Sequence, residues 1–117
     1  MSSSIIKDKS YGFSILIVRI YQFLSKEKNE YVLSKQLLRS GTAICALVRE
    51  SEFAQSRKDF ISKLSIALKE AGETDYWISL MFDTDYIDES IFKSIEPEIK
   101  EIIKILVSII NTSKQNS

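Results

Sequence analysis

The chain has 117 residues, enough for one domain and short for two. Three glycines and one proline are too few for a fold of many short strands and turns. No histidine and one cysteine exclude a zinc cluster, an internal disulfide and the commonest general base, and the formal net charge is zero. Hydrophobic residues at 44% and charged residues at 27% are ordinary for a globular chain, so the composition points to a mostly helical domain.

The spacing predicts four helices. The first spans about 8–25, where Phe13, Leu16, Ile17, Ile20, Phe23 and Leu24 recur every three or four residues. The polar run 25–29 reads as a tight connection, with Asn29 placed to cap the next helix. The second helix spans about 30–52 on a stripe of Leu33, Leu37, Ile44 and Val48. Gly41 lies inside it. An interior glycine costs about 1 kcal/mol against alanine, so it marks close helix packing rather than a break.

Ser56-Arg57-Lys58-Asp59 has the form of a capping box, with Asp for the preferred Glu. The third helix is therefore predicted over about 56–82, with Phe60, Leu64, Ala67, Ala71, Ile78 and Met81 on one face. A loop ends in a cap at Asp88, and the fourth helix spans about 89–112. Pro97 interrupts that span, which predicts a kink or a restart near Glu96. The tail beyond Asn111 is polar and expected to fray.

Four helices with short loops favour an antiparallel up-down-up-down bundle. No secretory signal is readable at the first residues, and no run reaches the about 18 apolar residues of a membrane span. The expectation is a cytoplasmic protein without membrane contact, and Asn111-Thr112-Ser113 is a chance glycosylation match. Helices one and four are apolar over more of their circumference than one inward stripe requires. A spare apolar face argues for a homo-oligomer.

The middle of the chain carries two long motifs in order. Leu33-Ser34-Lys35-Gln36-Leu37-Leu38-Arg39-Ser40-Gly41-Thr42 is followed by 59–71, reading DFISKLSIALKEA, and then by Glu73-Thr74-Asp75-Tyr76-Trp77. Together they resemble the four-helix-bundle proteins encoded in intervening sequences of 23S ribosomal RNA genes, also labelled S23-like ribosomal proteins. The accessory variability protein of diversity-generating retroelements is similar to these. The resemblance implies a homopentameric ring and an ill-defined role with RNA or a nucleic-acid-processing partner. The chain departs from the family pattern after Thr42. Cys45 stands where members carry glycine, Leu47 where they carry asparagine and Arg49 where alanine is usual, while Glu50 is kept.

The neutral total hides a polarised sequence. Residues 31–69 carry seven Lys/Arg against three Asp/Glu, and residues 70–101 carry two against ten. One reading is a nucleic-acid-binding surface made by Lys35, Arg39, Arg57, Lys58 and Lys63, whose phosphate contacts carry no sequence preference. The other is a solvated helix face, with the acidic end of one protomer pairing with the basic end of its neighbour.

Gln36, Arg39 and Ser40 suit either a ligand or buried hydrogen bonds between helices, and the structural role is favoured. Glu50 is expected to pair, with Lys63 as one partner. Asp59 belongs to the cap. Tyr76 is a stacking candidate, whereas the spacing of Trp77 suggests core or interface. Glu70, Glu73 and Asp75 read as a solvated acidic face rather than a metal site, and Cys45 as a buried thiol. No cofactor is expected and the chain is not read as an enzyme.

Overall fold

A computed structural model describes residues 2–116. Four helices follow in order: α1 (Ser2–Glu27), α2 (Leu33–Ser51), α3 (Arg57–Asp83) and α4 (Glu89–Gln115). Each packs on its neighbours in the order α1, α2, α3, α4 and back to α1, so α1 and α3 stand at diagonal corners. The result is an up-down-up-down bundle about 47 Å long and 21 by 19 Å across. We call the end with the α1–α2 and α3–α4 loops the top, and the end with the α2–α3 loop the base.

The core repeats with nearly heptad regularity. Ile6, Phe13, Ile17, Ile20 and Leu24 from α1 face Leu37, Ile44 and Val48 from α2. Leu64, Ala67, Ala71, Ile78 and Met81 from α3 meet Ile95, Ile99, Ile102, Leu106 and Ile110 from α4. Gly41 of α2 packs directly against Ile17 of α1. A Cβ there would stand 2.9 to 3.1 Å from three carbons of Ile17. Cys45 is free and 5% exposed on α2.

α1 begins six residues before its predicted start, and Ile6 is in the core. The reason is Ser10, fully buried in the slot where the apolar stripe asks for a large side chain, with its hydroxyl donating to the Lys7 carbonyl at 3.2 Å. That serine interrupts the pattern and hides the first turns.

Asn29 does not cap α2. It takes a left-handed conformation with φ 52° and ends α1, while the Glu30 N–H reaches back to the Leu24 carbonyl at 3.0 Å. The cap is Glu30 itself. Its carboxylate accepts from the N–H groups of Val32 (3.2 Å), Leu33 (3.0 Å) and Ser34 (2.7 Å). Burial pushes this carboxyl's pKa up. The backbone donors Leu33, Ser34 and Val32 outweigh burial and hold it below the usual carboxylate range.

Ser56 and Asp88 cap α3 and α4 as the sequence suggests, accepting from Asp59 N–H at 3.0 Å and Ile91 N–H at 2.9 Å. The shorter Asp59 carboxylate takes the Gln55 N–H at 3.1 Å. α4 runs unbroken through Pro97, which is exposed, so the fourth helix neither ends nor restarts at Glu96. Pro97 has no N–H for the Lys93 carbonyl, and both residues are exposed, so solvent can supply the bond.

Candidate functional site

The two sequence motifs meet across the α2–α3 seam. At its centre Ser40 and Thr74 are fully buried and their hydroxyls are 2.9 Å apart. Above them, Arg39 on α2 forms ion pairs with Glu70 and Glu73 on α3. The indole N–H of Trp77 donates to the same Glu73 carboxylate at 3.0 Å. The Trp77 and Arg39 donors together hold the Glu73 carboxyl below its ordinary range. The pairing with Glu73 and Glu70 raises the Arg39 pKa further.

The five predicted phosphate-binding cations do not form one face. Lys35 and Arg39 lie toward the top, and Arg57 and Lys58 lie at the base. The helix from Lys35 to Ser51 alone spans roughly 24 Å. Arg39 is committed to its two carboxylates. Lys63 faces Glu50 at 3.6 Å, the pairing the sequence offered. Arg57 donates to the Ser113 carbonyl at 3.4 Å and keeps an exposed guanidinium. Lys35 and Lys58 are exposed and have no partner among the described residues. Gln36 is exposed as well, and Asp59 is absorbed by the cap.

Arg57 lines an open groove of about 590 Å³ at the base, with Ser51, Glu52, Ser56, Phe60 and Ser113. Phe53, 85% exposed in the α2–α3 loop, stands beside that end.

Much of the acidic segment is neutralised within the chain. Lys9 on α1 pairs with Glu98 and Glu101 on α4, and Lys100 on α4 pairs with Asp75 at 2.8 Å. Glu70, Glu73 and Asp75 thus each hold a cation rather than one another. Among the described residues no group of three or more Asp, Glu or Cys is arranged to hold a metal ion, and no helix is long and apolar enough to cross a membrane.

Two of the family departures have structural roles. The Arg49 guanidinium lies 4.9 Å from the Tyr11 ring centroid and ties α2 to α1. Leu47 is half-buried against the core. The sequence reading missed the Arg39–Glu73–Trp77 network, although the i, i+4 spacing of Glu73 and Trp77 was a usable signal. It also missed Glu30, because glutamate rarely caps from that distance.

Fold and seam define a class: a four-helix up-and-down bundle whose α2–α3 seam carries its motif. Within that class the chain belongs to the 23S rRNA-intervening sequence protein family, whose model matches residues 2–108. A crystal structure of a protein of unknown function from the S23 ribosomal protein family of Bacteroides thetaiotaomicron VPI-5482 is 53% identical. It superposes with a TM-score of 0.93 over 95% of this chain and 99% of the other. No curated protein matches the chain.

Proposed function

We propose that this protein is a non-enzymatic, cytoplasmic, self-assembling scaffold. It engages RNA, or a protein that acts on nucleic acid, through the cations the fold leaves available on α2 and α3. The observation behind it is that Arg57 and Lys58 stand exposed at the base, with Lys35 free on α2. Family membership supports the association with RNA. A closed pentamer would repeat each of these charges five times and add avidity to weak single contacts. Arg39 and Lys63 contribute to the seam instead, because their charge is already met by carboxylates.

The test is binding of nuclease-treated protein to a structured RNA across a salt series. Affinity should fall steeply with salt, and Arg57→Glu with Lys58→Glu should weaken binding and flatten the slope. Binding that survives this reversal would remove the basic-end reading.

The alternative is a structural oligomer that recruits a protein and touches no nucleic acid. Exposed Phe53 beside the base groove favours it. Absence of RNA binding even at low salt would select it.

A further inference from the structure

Phe53 is 85% exposed, more than any other large apolar side chain among the described residues. It sits in the short α2–α3 connection, yet that connection is held. The Phe53 N–H donates to the Glu50 carbonyl at 3.0 Å and the Ala54 N–H to the Ser51 carbonyl at 3.2 Å. The Gln55 N–H is taken by the Asp59 carboxylate. The backbone that carries the ring is therefore set before any ligand arrives, which lowers the ordering cost of binding. Among the described residues Phe53 makes no ring–ring or cation–ring contact, so its faces are open to solvent.

The same end carries positive charge that the chain leaves unanswered. Glu50 and Glu52 are met by Lys63 at 3.6 Å and Lys7 at 3.3 Å, and Asp59 is used in the cap. Arg57 spends one N–H on the Ser113 carbonyl and keeps an exposed guanidinium, and Lys58 is exposed without a partner among the described residues. Arg57 follows Phe53 by four residues, so their Cα atoms are at most about 14 Å apart. An open aromatic face near two available cations suits a nucleobase and its flanking phosphates. Two features favour a nucleobase over a protein side chain as the partner of Phe53. The ring does not line the base groove, so it offers a flat plate rather than the wall of a socket. The groove is mainly polar, with three serines, Glu52 and Arg57 against Ala54 and Phe60, and gives an anchoring apolar side chain no hole to fill.

We propose that this end of the bundle binds an unpaired nucleotide of RNA, with the nucleobase stacked on Phe53 and neighbouring phosphates held by Arg57 and Lys58. This rests on the RNA reading above and specifies its substrate: single strands, loops and ends rather than duplex. In a duplex the bases stack on one another and leave no face for a phenylalanine, whereas the two cations alone would take either form. Every base has a face to stack, so the preference is for strandedness and not for sequence.

The test compares a labelled single-stranded RNA with a duplex of the same length by fluorescence anisotropy on the full chain, with helix content checked by circular dichroism. The single strand should bind about tenfold more tightly. Phe53→Ala should weaken single-strand binding about tenfold at an unchanged salt slope and leave duplex binding as it was. Phe53→Trp should keep the preference, and the emission its indole adds over that of the unmutated protein should be quenched by the single strand and not by the duplex. Equal affinity for the two RNAs, or single-strand binding unchanged in Phe53→Ala, would overturn the stacking site while leaving the cation-based RNA reading intact. Binding of neither RNA at low salt would end both readings. Tighter binding of a glutamate-rich peptide carrying one phenylalanine, lost in Phe53→Ala, would overturn the site in favour of a protein partner.

Discussion

At Gly41 the distance between α1 and α2 is set by one missing methyl group. Ile17 fills the space a Cβ would need, and it is itself fully buried and cannot swing into water. Gly41→Val is expected to destabilise the fold by about 2 kcal/mol through overpacking, read from a denaturant midpoint. Trimming the neighbour with Ile17→Val should relieve part of that cost, so the pair should be non-additive in a double-mutant cycle. Glu30 decides the start of α2 in a different way, by electrostatics. Glu30→Ala should cost about 1 to 2 kcal/mol, the usual range for a lost helix cap. Its folded pKa and that of Glu73 lie below the ordinary value of 4.5. Both carboxylates therefore stabilise fully above that value, and the contribution is lost as pH falls through the lower folded pKa values. Acid titration of stability should show this loss below about pH 4.5, and Glu30→Gln should shrink it.

The helices themselves were largely legible, since strong periodicity carries their interiors. α2 and α3 run Leu33–Ser51 and Arg57–Asp83 against expected spans of 30–52 and 56–82. The misses have local causes. Ser10 occupies a core slot and masks the beginning of α1. Asn29 looks like an N-cap, yet its tolerance of positive φ makes it the terminator of the preceding helix. Pro97 reads as a kink or a restart because sequence does not reveal that it lies on the exposed side of α4. That placement predicts a gain: Pro97→Ala restores an N–H to the Lys93 carbonyl and should raise stability by about 1 to 3 kcal/mol. An unchanged or lower melting temperature would show that α4 is adapted to the proline. The seam was half legible. Its residues stood out as motifs, but the pairing of Arg39 with Glu70 and Glu73 joins positions 31 and 34 apart and needed the fold.

On the scale of the whole molecule, the charge separation in sequence is largely cancelled in space. The acidic run from Glu70 to Glu101 meets cations from α1, α2 and α4 across the helix seams. Exposed pairs of this kind add little stability each. The same cancellation leaves few cations for a ligand, all of them outside the central seam. It predicts that Arg39→Ala will loosen the α2–α3 seam, by about 0.5 to 1 kcal/mol, without changing RNA affinity. Self-assembly predicts a solution mass that is a multiple of 13.4 kDa, and fivefold for a pentamer, at micromolar protein. A mass of one chain at that concentration would end the self-assembly reading.

Cys45 gives the bundle a chemical clock. As the chain's only thiol, and a buried one, it reacts with a bulky alkylating agent only when α2 lifts from its neighbours. The ratio of its labelling rate to that of an unfolded thiol reports how often the helices part, residue-specifically and without a dye. Because the thiol is buried inside the bundle, the clock reads breathing of one chain. Slower labelling at higher protein concentration would then measure how far assembly stills the helices inside each copy.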